Sequence, residues 1–197
     1  ARDAGDAVIR AVRACGLLLA LLTTVVGCSG KPPEQPAIGG DFTLIDQDSA
    51  RFELASLRGK VVLVFFGYSQ CPDVCPTTLS KLSSVARRLG AQRAEMRVVY
   101  VSVDPERDTP AVLKADLQNF DLDAVGVTGT RAEIDRVVAM YGAKYEIVQT
   151  PQSAAKYTVS HSTTLYLLDK QGKVVEQFPY EATADEIAEA VRGRLAP

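Results

Sequence analysis

Three side chains in this 197-residue chain can do chemistry together: the two cysteines of "GYSQCPDVCPTTL" and the chain's single histidine, His161. Cys71 and Cys75 stand as C-x3-C, each followed by proline, directly after an apolar run. Such a pair can close a structural disulfide, cycle as a dithiol–disulfide couple, or hold a metal. A bond across so short a loop constrains the unfolded chain little, so it is a weak staple. Soft thiolates select Cu(I) and also bind zinc, and imidazole suits both metals. Two thiolates and one imidazole make a three-coordinate set that Cu(I) accepts, and an added oxygen or water ligand would let Cu(II) be held. A structural zinc normally takes four protein ligands. No further Cys or His follows Cys28 apart from these three residues, which leaves Asp73, between the thiols, as the one candidate for a fourth. Its more natural place is in solvent, where it could meet a docking partner.

These residues need a scaffold, and the patterning supplies one. "FTLIDQDSARFEL" reads as two short strands around a polar turn. "KVVLVFFGY" and "MRVVYVSVD" are unbroken apolar runs, as in central strands covered on both faces. "PTTLSKLSSVARRLG" carries apolar residues at helical spacing, with Pro76 at its start and Gly90 as its stop. "TPAVLKADLQNF" opens with Thr109 as N-cap and Pro110 as the first helical residue. "VGVTG" predicts a short strand, "RAEIDRVVAMYG" an amphipathic helix, and "STTLYLLDKQGKVVEQF" two strands around Gly172. A last helix follows Thr183, with Glu186 completing a capping box. The order is β-β, β-α-β-α-β-α, β-β-α: an α/β fold with a central mixed sheet, helices on both faces and an N-terminal β-hairpin. The cysteines fall at the C-terminal end of the first parallel strand, where open α/β sheets bind ligands. They also fall at a helix start, whose free N–H groups and dipole favour a thiolate.

Composition bounds the rest. A net charge of −2 offers no basic surface for nucleic acid, and 4 cysteines are too few for a disulfide-stapled scaffold. Arg10 and Arg13 precede an apolar run from Cys15 to Val26 that ends in "VVGC". The run falls short of the about 20 residues a membrane span takes and suits the core of an export signal. "VVGC" resembles the lipobox of bacterial lipoproteins. That resemblance implies residues 1–27 as a signal peptide cleaved after Gly27, Cys28 as a lipidated first residue, 28–38 as a tether and 39–197 as the working domain. The implied location is the bacterial cell envelope, anchored to a membrane by lipid on Cys28 and facing the periplasm or exterior. There a close thiol pair oxidises unless a reductant or a metal holds it.

"GYSQCPDVCPTTL", "VSVDPERDTP" and "SHSTTLYLLDKQGKV", in this order, resemble the Sco/SenC family of copper-binding cytochrome c oxidase assembly factors. The resemblance implies a thioredoxin-like fold binding one copper ion, as Cu(I), Cu(II) or both, through Cys71, Cys75 and His161. It implies cytochrome c oxidase subunit II as partner, with another copper chaperone and a thiol reductant as further ones. In thioredoxin-like folds the loop before the strand "TTLYLL" faces the cysteine motif, and thiol oxidoreductases place a cis-proline there. "VSHST" has none, and His161 stands in its place. Two functions follow: a metallochaperone for the oxidase's dinuclear copper site, or a thiol-disulfide reductase that keeps the subunit II cysteines reduced, with Cys71 and Cys75 as the redox pair. Peroxiredoxins carry P-x3-T-x2-C, but Val64 and Tyr68 occupy those places here, which disfavours a peroxidase. "DPERDTP" reads first as a turn at Asp104-Pro105 and a helix cap at Asp108 or Thr109. Asp104 and Arg107 would leave the sheet at the same end as Cys71 and, with Asp73, could form a rim for a partner. Phe66 and Tyr68 read as packing residues, Tyr68 also limiting solvent at the metal.

Overall fold

The computed structural model of the protein describes residues 38–195. The expected signal segment and Cys28 lie outside the described residues. The chain opens with the hairpin β1 (Thr43–Asp46) and β2 (Arg51–Glu53), then β3 (Val61–Gly67). Helix α1 (Val74–Leu89), β4 (Met96–Ser102), α2 (Pro110–Leu117), β5 (Ala124–Thr128) and α3 (Arg131–Met140) follow. Strands β6 (Tyr145–Gln149), β7 (Tyr157–His161), β8 (Leu165–Leu168) and β9 (Val174–Phe178) lead to α4 (Ala184–Leu195). Among the described residues no helix is long and apolar enough to cross a membrane.

Seven strands form one mixed sheet in the order β2-β1-β5-β4-β3-β8-β9. Strands β3, β4 and β5 are parallel to one another, while β1 joins β5 and β8 joins β3 antiparallel. All seven residues of β3 are buried, as its unbroken apolar run requires. Right-handed crossovers from β3 to β4 to β5 set α1 and α2 on one face, where α4 packs against α1. The far end of α3 lies over the other face, with Tyr141 edge-on to Phe66 and Tyr166.

The expected helix signals hold. Thr109 Oγ1 accepts from the Val112 N–H, Pro110 opens α2, and Thr183 and Glu186 cap α4 reciprocally. Gly90 takes a positive φ of 58° at the end of α1. Helix α1 begins at Val74, two residues before Pro76. Proline is tolerated there because the first-turn N–H groups have no intrahelical partner anyway. The strands β6 and β7, a separate antiparallel pair, were not expected.

Candidate metal centre

The loop after β3 carries Cys71, and α1 carries Cys75 in its first turn. His161 arrives from far along the chain as the last residue of β7, immediately before β8. Because β8 runs antiparallel to β3, with Phe65 paired to Leu165, the start of β8 lies beside the end of β3. That pairing brings the imidazole to the thiols. Cys75 Sγ lies 3.4 Å from His161 Nε2, and the ligand atoms of Cys71, Cys75 and His161 all fall within 4.8 Å of one another. Three donors around one ion, at metal–ligand lengths of about 2.0–2.3 Å, stand roughly 3.5–4 Å apart. The set needs only a small closure to fit one. Asp73 is exposed, and among the described residues no carboxylate joins the cluster.

The two sulfurs differ in environment. Cys71 is half-exposed, and the Cys75 N–H at the start of α1 points to its Sγ at 3.4 Å. Its thiol is pushed well below the ordinary range, mainly by the hydrogen bond from Cys75, with His161 and the backbone N–H groups adding to it. Cys75 is 2% exposed and is pushed up, by sharing its proton with Cys71 and by burial. In the metal-free pair the charge is thus favoured on Cys71 and the proton on Cys75. His161 Nδ1 donates to the Ser162 carbonyl at 2.9 Å. That bond fixes the tautomer and leaves the Nε2 lone pair facing the sulfur, the usual outer support of a metal-ligating histidine. Phe65 and Tyr68 pack edge-on to the ring, and Tyr68 is itself buried, so it screens this side of the site from water.

The β6–β7 hairpin that delivers His161 is pinned by two arginines. The Arg107 guanidinium lies 3.7 Å from the centre of the Tyr157 ring and donates to the carbonyls of Ala155 and Tyr157 and to Gln70 Oε1. It is also ion-paired with Asp104, whose other oxygen accepts from Tyr157 Oη at 2.8 Å. Arg131 donates to the Val103 carbonyl and to Tyr145 Oη. The expectation of Asp104 on a partner rim is corrected here: its side chain has 0% exposure and lies beneath the surface as the anchor of Arg107 and Tyr157. Arg107 is also mostly covered, whereas Asp73 remains open to solvent.

Sequence reasoning read Asp108 as a possible helix cap and missed its use. Its buried carboxylate accepts from Ser69 N and Oγ and from Ser102 Oγ, tying the cysteine loop to β4. Burial pushes its pKa up, which those hydrogen bonds partly offset. Tyr157 and Arg131 were missed with the hairpin. The alternation Tyr145, Ile147 and Tyr157, Val159, His161 was the signal that could have found it.

The fold and site define a thioredoxin-like domain with a two-cysteine, one-histidine cluster at the C-terminal end of its first parallel strand. The SCO1/SenC family profile matches residues 30–196, and the chain belongs to that family. It is 32% identical to the SCO2-like protein of Rickettsia felis over 198 residues, covering 94% of this chain and 97% of the relative. ScoI of Bradyrhizobium japonicum, solved with copper bound, is 41% identical, with a TM-score of 0.74 over 81% of this chain and 100% of that one. BsSco, a member of the Sco family of cytochrome c oxidase assembly proteins in which a disulfide switch was identified, is 28% identical, with a TM-score of 0.64 over 82% of this chain and 95% of that one.

Proposed function

We propose that this protein binds one copper ion through Cys71 Sγ, Cys75 Sγ and His161 Nε2 and acts in the assembly of cytochrome c oxidase, handing the ion to the dinuclear copper site of subunit II. The carrying observation is the convergence of three copper-suited donors within 4.8 Å, on elements distant in sequence. The copper-bound state of the similar ScoI supports it. Copper when bound supplies the cargo, and this chain's residues govern its exchange. The half-exposed Cys71 is the ligand that a partner's thiol can replace first, while buried Cys75 and the braced His161 retain the ion. A shallow depression lined by Lys144, Tyr145, Glu146, Ser160, His161 and Ser162 opens beside the histidine, leaving room for an incoming ligand. Residues 39–197 form the working domain, residues 28–38 a tether, and lipid on Cys28 holds the chain to the membrane in which the oxidase sits.

The test is copper uptake by the full chain. The reduced protein takes up one ion per chain, and the protein oxidised to a Cys71–Cys75 disulfide takes up none until reduced, because only thiolates are ligands. Undiminished uptake by the oxidised protein, verified by thiol counting, would place the ligands elsewhere.

One observation favours a second reading, thiol-disulfide reduction: Cys71 is half-exposed with the Cys75 N–H directed at its sulfur, while Cys75 is buried behind it. The Cys71 thiolate would attack a disulfide in subunit II to form a mixed disulfide. The Cys75 thiol would then resolve it, losing its proton, and the pair's two electrons would leave subunit II with two thiols.

A further inference from the structure

Tyr100, in the middle of β4, is fully buried. A buried phenol hydroxyl ordinarily finds a partner, yet Tyr100 Oη makes no formed hydrogen bond. Its position gives the reason. Tyr100 pairs with Phe65 across the β3–β4 ladder, so its side chain rises on the face that carries α1. There it meets the floor of the candidate site. A methyl carbon placed on Gly67 would stand 2.9 Å from Cys75 Sγ and 3.0 Å from Tyr100 Oη. The sulfur and the hydroxyl converge on one small space that glycine leaves open.

We propose that Tyr100 is a positioning residue of the metal centre, whose hydroxyl donates a hydrogen bond to the Cys75 sulfur once that sulfur is a metal-bound thiolate. The inference rests on the copper reading above. In the metal-free protein the buried hydroxyl has no hydrogen-bond partner. A cysteine that ligates a metal does so as the thiolate, so its sulfur bears negative charge, and hydrogen bonds to charged groups are stronger than neutral ones. A phenol hydroxyl is protonated at neutral pH and therefore a donor. The bond would draw electron density from the sulfur and hold Cys75 in the orientation the ion requires, as outer-sphere partners do. The hydroxyl has no other use in view: a phenylalanine ring fills the same volume against Phe65.

The test compares Tyr100→Phe with the wild type in the full chain, each loaded with Cu(II) and, anaerobically, with Cu(I). Without the hydroxyl the sulfur is a stronger electron donor, so the sulfur-to-Cu(II) charge-transfer band moves to longer wavelength. Copper affinity falls roughly tenfold, the scale of losing an outer-sphere partner. The thermal midpoint of the metal-free protein stays the same or rises, because an unsatisfied buried hydroxyl has been removed. A band and an affinity that both match the wild type overturn the proposal, as does a lower metal-free midpoint with an unmoved band, the mark of a purely structural hydroxyl. A wild-type chain that takes up no copper overturns both the proposal and the reading beneath it. A wild type that binds copper, matched by the variant, overturns the proposal alone.

Discussion

His161 Nε2 faces Cys75 Sγ at 3.4 Å because the other ring nitrogen is committed to the Ser162 carbonyl. One backbone acceptor thus decides which nitrogen is available to a metal, and it lies within the same strand-to-strand connection that brings the ring to the thiols.

His161→Ala separates metal binding from thiol chemistry. Both sulfurs and the start of α1 remain, so the Cys71–Cys75 disulfide still forms. Cu(I) still binds two thiolates, more weakly. Cu(II), which favours nitrogen and a higher coordination number, is lost by more than the about 10–100-fold that removal of an outer-sphere partner costs. The checks are metal titration of the pure variant and oxidase assembly in a strain carrying it. Failed assembly with normal thiol exchange makes copper handling the essential role. Normal assembly here, with failure only in Cys71→Ser or Cys75→Ser, hands that role to the reductase reading.

Thiol reactivity should follow the pair's asymmetry. The lowered pKa of Cys71 means that its reactive thiolate persists as the pH falls, so alkylation of the metal-free protein stays fast well below the pH at which a free cysteine slows. In Cys71→Ser the push on Cys75 from Cys71 is gone, but its burial remains, so it should still be alkylated slowly at neutral pH. The Cys75 hydrogen bond is the largest cause of the Cys71 shift, so Cys75→Ala should move the alkylation profile back toward higher pH. Mass spectrometry of the modified sites reads both effects, and a profile unmoved in Cys75→Ala refutes the coupling.

Arg107→Ala leaves the Asp104 carboxylate buried without its cation, and such breakage costs about 3–5 kcal/mol. It also frees the hairpin that carries His161. Chemical denaturation of the metal-free variant should show that loss, and copper affinity should fall with it. A variant as stable as the wild type would remove the anchoring argument.

Cys28→Ala tests the tether. Its substitution should leave the precursor uncleaved after Gly27 and without lipid, which mass spectrometry of the membrane fraction resolves. A mature wild-type protein that begins elsewhere and fractionates as soluble would sink the lipoprotein reading.

The elements were legible because their signals are local. The run from Val61 to Gly67, the apolar spacing from Leu79 to Leu89, and the Thr183–Glu186 box each involve neighbours within a turn or a pleat. The β6–β7 hairpin escaped because its pattern is diluted: β6 is almost wholly exposed, and its face is held by Arg107 and Arg131 rather than by an apolar core. Asp108 passed for a cap because nothing near it in sequence announces the two serines it gathers from different loops and strands.

The sequence by itself determined which donors exist, two thiols at a helix start and one imidazole, and which elements carry them, since residue type and short-range periodicity are written along the chain. Only the tertiary structure decided that the donors meet. Their separation of 86 residues is closed by the antiparallel pairing of β8 with β3, a choice of strand order that no local signal encodes. It decided as well that Asp104 is an anchor and not a rim, that Cys71 is half-exposed while Cys75 is buried, and that the Tyr100 hydroxyl and the Cys75 sulfur border one space at Gly67. Each of these is a matter of burial and proximity, and both arise only when distant segments pack against one another.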